Sequence, residues 1–219
     1  GMLPPKLAQI LINLAHLYSE PAPEAHSVLI YDPFCGSGTI LMEALLKGHP
    51  VAGSDKMPAA VAGAEKNLAW FRERFRIPAD RATVLFNKSA SDVELSELKL
   101  ALKKETKIAI ATEPYLGPPL SRFPHDAFLQ KLQTELSELY LAFFKNCARW
   151  LEVGTPIVFL FPAWKKDKQQ IVRLGHGLVD KIEALGYSIT TFAPLHTASL
   201  IYDRPDQIVA REIVRFVRK

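Results

Sequence analysis

The 219 residues suit one large domain or two small ones. With 48% hydrophobic and 23% charged residues, 11 Gly, 16 Pro and two Cys, the composition excludes a disordered, collagen-like or disulfide-stapled chain. The formal charge of +4 permits a nucleic-acid partner without demanding one, and no apolar run approaches the roughly 18 residues of a membrane helix. Two cysteines cannot by themselves complete a four-ligand zinc site, the histidines show no metal spacing, and a reducing, cytoplasmic setting fits best.

Leu7, Ile10, Leu11, Leu14 and Leu17 recur at helical spacing, so the chain opens on an amphipathic helix that Pro21 and Pro23 end. Gln9, Asn13 and His16 interrupt its apolar stretch, which argues against a signal peptide, and Gly1-Met2 reads as a vector remnant before a start codon. Residues 27–31 read as a buried strand and 39–47 as a helix, with Gly48 at the C-cap and Pro50 blocking continuation. The alternation then repeats: strand 51–54, helix 58–75 with proline near its start, strand 83–87, helix 92–103, strand 107–111, helix 126–151, strand 156–161, helix 168–185, strand 187–192 and a final strand within 207–217.

Strands alternating with helices imply parallel βαβ units, and therefore an α/β, Rossmann-like doubly wound sheet with helices on both faces. No helix separates the last two strands, so they are expected to pair antiparallel at one side of the sheet. No repeat or linker marks a second domain. The expectation is a single domain over 1–219, with 1–26 as N-terminal helix and entry segment.

Asp32-Pro33-Phe34-Cys35-Gly36-Ser37-Gly38-Thr39 connects the first strand to its helix. Gly36 and Gly38 remove side chains so that the backbone can approach a ligand, and the helix N-terminus offers free N–H groups. Asp32 adds a carboxylate, which suits a cationic ligand better than a phosphate. Asp55 ends the second strand near the spacing at which an acidic residue meets ribose hydroxyls. Together these imply a nucleoside-containing cofactor. The position of the third small residue in a dinucleotide fingerprint is Leu41, and no Walker lysine follows the glycines.

The segment Asp32 to Thr39 resembles motif I of the S-adenosylmethionine-dependent amino-methyltransferases, which act on exocyclic nitrogens of bases. With Leu3-Pro4-Pro5-Lys6-Leu7-Ala8-Gln9 before the first helix and Asp55 at the second strand's tip, the chain resembles the catalytic domain of THUMP-associated tRNA guanine-N2 methyltransferases, over residues up to about Phe161. The resemblance implies a seven-stranded sheet with the last strand antiparallel. It implies S-adenosyl-L-methionine as cofactor, with Asp32 near the methionyl ammonium and Gly36 and Gly38, in the turn that Phe34 and Thr39 flank, lining its chain. Asp55 would bind the ribose, and Pro4, Pro5 and Lys6 would close over the methionine end. Ser89-Ala90 occupies the place where such families touch the adenine, with Asp92 as a possible substitute.

Amino-methyltransferases carry Asp or Asn, Pro, Pro and an aromatic after the fourth strand. A base amine delocalises its lone pair into the ring, so acceptors for its hydrogens and a stacking aromatic favour reaction largely by positioning. Here the sequence is Thr112-Glu113-Pro114-Tyr115. The Pro-Tyr pair is kept and the acidic residue falls one place late. Glu113 is the favoured acceptor; the alternatives are that Thr112 takes a weaker acceptor role, or that the site no longer catalyses. Tyr115 would stack on the base. Cysteine-dependent pyrimidine methylation is set aside, because Cys35 and Cys147 lie away from this loop.

Arg72 and Arg76 read as a solvated helix face, whereas Lys165, Lys166 and Lys168 at the ligand-binding edge, and Arg204, are the better phosphate contacts. The related tRNA enzymes carry an N-terminal RNA-binding THUMP domain; the 219 residues start at the motif preceding the catalytic fold, so a missing domain or partner subunit is expected to grip the RNA. The resulting expectation is an enzyme that methylates guanine N2 in tRNA. Adenine-N6 methylation of DNA or RNA and a non-catalytic cofactor-binding scaffold are the alternatives.

Overall fold

The computed structural model describes residues 3–16, 28–101, 106–167, 170–174, 176–192 and 195–219. The expected proline stop at Pro21 and Pro23, and the ends placed at Leu17, Ser27, Lys103 and Lys168, lie outside these residues. Helix α1 (Pro5–His16) precedes β1 (Val28–Asp32), α2 (Thr39–Leu46), β2 (Val51–Asp55), α3 (Pro58–Phe75), β3 (Thr83–Asn87) and a short α4 (Leu95–Leu98) that runs into a 3₁₀ turn (Lys99–Ala101). Then follow β4 (Lys107–Thr112), α5 (Asp126–Cys147), β5 (Pro156–Lys165), β6 (Ile171–Arg173), α6 (His176–Ala184), β7 (Tyr187–Ile189), β8 (Ser199–Tyr202) and β9 (Val209–Arg218).

The sheet runs in the order β3-β2-β1-β4-β5-β9-β7, with β6 added to β5 and β8 to β9. The β3-β2-β1-β4-β5 part is parallel, and β9 is antiparallel to β5 and to β7. Strand residues alternate between two cores, as a pleated sheet requires. Leu29 and Tyr31 face α5 and α6, while Val28 and Ile30 face α1, α2 and α3. On the first face Phe144 packs 5.0–5.2 Å from the rings of Phe143, Phe159, Tyr187 and Phe216. The helix stop expected at Gly48 is a Schellman turn: Gly48 N–H donates to Leu45 O, His49 N–H donates to Ala44 O, and Gly48 takes a φ of 91°.

Four details differ from the expectation. To the expected seven-stranded path, β6 and β8 add two short strands among the described residues. The helix expected from residue 168 begins only at His176; before it, the β-branched Ile171 and Val172 pair with Lys165 and Trp164 as a strand. The helix expected over 92–103 is reduced to α4 and its 3₁₀ turn. Strand β5 continues through Pro162 to Lys165 instead of stopping at Phe161. Lys165 N–H bonds to Ile208 O, so odd-numbered β5 residues face β9 and Pro162 faces the other way. On that side β4 ends opposite Phe159 and β6 begins only at Ala163, so no partner requires the missing N–H.

Candidate active site

Strand order reverses at β1, whose neighbours are β2 and β4, and the crevice at such a switch point is where open α/β sheets bind ligands. The turn after β1 is tied down by backbone bonds. Cys35 N–H donates to Ser54 O (2.9 Å), Gly38 N–H to Cys35 O (2.8 Å), and Phe34 N–H to Asp32 Oδ1 (3.1 Å). Asp55 completes the clasp, accepting from Gly36 N–H at 3.1 Å and from Met57 N–H at 2.9 Å. Gly36 and Gly38 hold φ of 50° and 85°. Gly38 is buried against α3 rather than lining the cavity; a Cβ there would stand 3.4 Å from that of Ala64. Sequence reading passed over Gly53, where a Cβ would come within 2.5 Å of Leu41 and 3.0 Å of Cys35. That glycine lets β2 approach the turn.

A cavity of about 530 Å³ lies over this turn. Its walls include Asp32, Phe34, Gly36, Thr39, Asp55, Ser89, Ala90, Glu113, Pro114 and Tyr115, so most of the expected site residues converge. Pro5 and Lys6 do not: both are exposed on the first turn of α1, and Leu3 reaches the cavity instead. Asp92 is exposed and stands outside the lining. Met57 and Ile40 add apolar wall that the sequence did not suggest.

Asp32 is 2% exposed, and burial pushes its carboxyl up to about 7, against the hydrogen bonds from Thr112 and Phe34. Thr112 Oγ1 donates to Asp32 Oδ1 at 2.6 Å, so both hydrogen bonds fall on Oδ1 and no described residue bonds Oδ2. Thr112 is fully buried and outside the cavity lining, and its hydroxyl donates to Asp32 while keeping its own acceptor lone pairs. Cys35 and Cys147 are buried packing residues with thiols pushed up by desolvation. Among the described residues no group of His, Cys, Asp and Glu could hold a metal ion.

Beyond β4, Glu113, Pro114 and Tyr115 form a wall shared with a second cavity of about 480 Å³. The proline-rich loop and the turn before β9 enclose it, through Gly117, Pro118, Asp206, Gln207 and Arg211 among others. Tyr140 Oη of α5 donates to Tyr115 O at 2.7 Å and fixes the turn, while the Tyr115 ring is 55% exposed. Burial raises the Glu113 carboxyl, with Arg211 pulling it back down. Arg211 Nε donates to Glu113 Oε1 at 2.5 Å across 98 residues of sequence. The signal for Arg211 was present, since a charged residue inside the apolar strand 209–214 is rarely buried without a partner.

One of the expected phosphate contacts is otherwise engaged. Lys165 Nζ pairs with Asp203 Oδ1 at 2.6 Å and donates to Arg204 O at 2.6 Å. Arg72 is no solvated residue either: it donates to Arg81 O, Pro78 O and Thr83 Oγ1, clamping the turn into β3. Lys166 is exposed at the sheet edge.

Residues 1–116 match the family model UPF0020, RMKL-like methyltransferase domain. The chain belongs to this methyltransferase family. Over 116 residues it is 32% identical to a tRNA (guanine(10)-N2)-dimethyltransferase of Pyrococcus abyssi, covering 52% of this chain and 29% of that protein. The whole chain superposes on half of TrmN from Thermus thermophilus with a TM-score of 0.60 at 17% identity. It also superposes, over 98% of its length and 77% of the other, on the magnesium protoporphyrin IX methyltransferase ChlM from Synechocystis PCC 6803 with bound SAM, with a TM-score of 0.54 at 14% identity. These structural likenesses establish the Rossmann-like methyltransferase fold. The family match ends at Leu116, just past the Pro114-Tyr115 pair. No described helix is long and apolar enough to cross a membrane.

Proposed function

We propose that this chain is an S-adenosylmethionine-dependent RNA methyltransferase domain that modifies an exocyclic amine, guanine N2 in tRNA. The observation that carries the reading is the shared wall. Glu113, Pro114 and Tyr115 separate a cofactor-sized cavity from a second one that the proline-rich loop lines. The substrate class follows the names of the matched relatives, of whose length the chain spans less than a third.

The residues fit the cofactor. Three carboxylates, Asp32, Asp55 and Glu113, line the first cavity, which suits a ligand carrying an ammonium and a sulfonium. Asp32 Oδ2 would hold the ammonium. Asp55 keeps lone pairs for ribose hydroxyls beyond its two backbone donors, and Ser89 and Ala90 would flank the adenine. Bound there, the cofactor supplies a methyl group on a positively charged sulfur. Glu113 would accept an N–H of the amine while the Tyr115 ring stacks on the base. The amine proton leaves after transfer, so no strong base is required beforehand. Positioning of this kind is worth up to about 7–11 kcal/mol. A base in folded RNA must first be unstacked, at a cost of a few kcal/mol. An RNA-binding domain or partner subunit would supply the grip that offsets it.

Incubation with methyl-labelled cofactor and unmodified tRNA, followed by digestion to nucleosides, tests the reading. Labelled N2-methylguanosine is the expected product. N6-methyladenosine would move the assignment to the adenine alternative, and cofactor binding without any product would favour the scaffold.

A further inference from the structure

We infer that Arg211 is a positioning residue of the acceptor site, holding Glu113 Oε1 toward β9 so that Oε2 is presented to the amine. The inference rests on the function proposed above and names a residue outside the part of the chain that matches the family.

The sequence offset creates the need. Glu113 follows Thr112, the last residue of β4, and carries one more methylene than the aspartate its place resembles. A longer side chain has more rotamers to lose and fixes its oxygens less well. Arg211 lies on β9, opposite Pro162 of β5, while Thr112 lies opposite Phe159 on the other edge of β5. The Arg211 and Glu113 side chains therefore meet over β5, together bridging about 10 Å between strand axes. It is 7% exposed, and a charge so buried needs a counterion; Glu113 is that counterion.

The contact is one-handed. A fork-to-fork pair would occupy both carboxylate oxygens. Here Nε binds Oε1, while Nη1 turns to Gln207 Oε1 at 3.2 Å. No described residue donates to Glu113 Oε2, and Glu113 lines both cavities. Gln207 and Arg211 also wall the second cavity, so the residues that hold the acceptor border the space for the base. Other ionisable groups acting around Glu113 include Arg204, Asp32 of β1 and Tyr140 of α5. Among the described hydrogen bonds none of these donates to Glu113, and Arg211 does.

The test compares R211Q and R211K with the natural chain, following kcat against pH and cofactor affinity by calorimetry. R211Q is expected to lose turnover at neutral pH on the order of 10- to 100-fold. Its acid limb should shift upward, because a buried carboxyl without its cation ionises later. R211K should keep the limb near its natural position, and cofactor affinity should stay within about twofold in both. Unchanged turnover in R211Q, or an equal loss at every pH in both variants, overturns the inference. Should R211Q not fold, R211K decides: a severalfold fall in kcat with the limb retained supports the inference, and an unchanged kcat overturns it. If the natural chain binds cofactor but methylates no RNA, the proposed function fails by itself. Carbon-13 titration of the Glu113 carboxyl then decides the positioning claim. A midpoint raised in R211Q supports it, and an unmoved midpoint refutes it.

Discussion

The two sides of the crevice are built by different means. The cofactor side is a local structure: Asp32, the glycine turn and Asp55 come from one strand–turn–helix–strand unit, and backbone groups make most of its bonds. The acceptor side is assembled from a distance. Glu113 is held by Arg211 of β9, and Tyr115 by Tyr140 of α5. The family match covers the first side and Glu113, Pro114 and Tyr115 of the second, and leaves out their props Arg211 and Tyr140. A turn whose atoms lie close in sequence can be kept as a motif, whereas side-chain props can be supplied by any strand that reaches.

If this contrast is real, damage to each side should read out differently. The largest effect is expected for E113Q, which removes the charged acceptor: turnover should fall about 100-fold or more, with cofactor affinity nearly unchanged in a binding titration. Equal losses in both would mean that Glu113 serves the cofactor side. D55A should weaken cofactor binding by roughly 1–3 kcal/mol, because charge-assisted bonds to the ligand and to the Gly36 and Met57 N–H groups are lost together. Calorimetry on the purified variant checks this.

Asp32 gives a pH signature. Its folded pKa, about 7, lies above the ordinary carboxylate value of 3.8. Its contribution to folding stability is therefore full below about pH 3.8 and is lost as pH rises through about 7. Ligand binding runs the opposite way, since an ammonium prefers the ionised carboxylate. Cofactor affinity should rise nearly tenfold per unit as pH climbs toward 7 and then level off. D32N should bind weakly with no such slope. A flat profile in the natural chain would remove Asp32 from the ammonium role. The smallest effect is expected for Y140F, which deletes one hydrogen bond to the Tyr115 carbonyl and should cost about 1 kcal/mol in thermal stability while raising the KM for RNA a few-fold.

The same contrast explains what the sequence disclosed. Asp32, Gly36 and Asp55 were legible because their spacing alone implies a turn and two strand tips. The exposure of Pro5 and Lys6 was not, since proximity in a motif does not say which way a helix turn faces. Arg211 could be marked as a buried charge in need of a partner, but nothing local links it to Glu113, or Tyr140 to Tyr115. Strand β6 was hidden inside a helix-length interval, and Pro162 looked like a stop because the gap beside it exists only once the sheet is assembled.

The hydrogen bond from Thr112 to Asp32 is a side-chain tie between the tips of β4 and β1, in addition to their backbone ladder. When Asp32 ionises to receive a cationic ligand, that bond becomes charge-assisted and tightens the strand tip from which Glu113 projects. Filling of one chamber thus stiffens the threshold of the other. Under the proposed function, donor before base is the expected order, and in product inhibition the demethylated cofactor should compete with the donor alone.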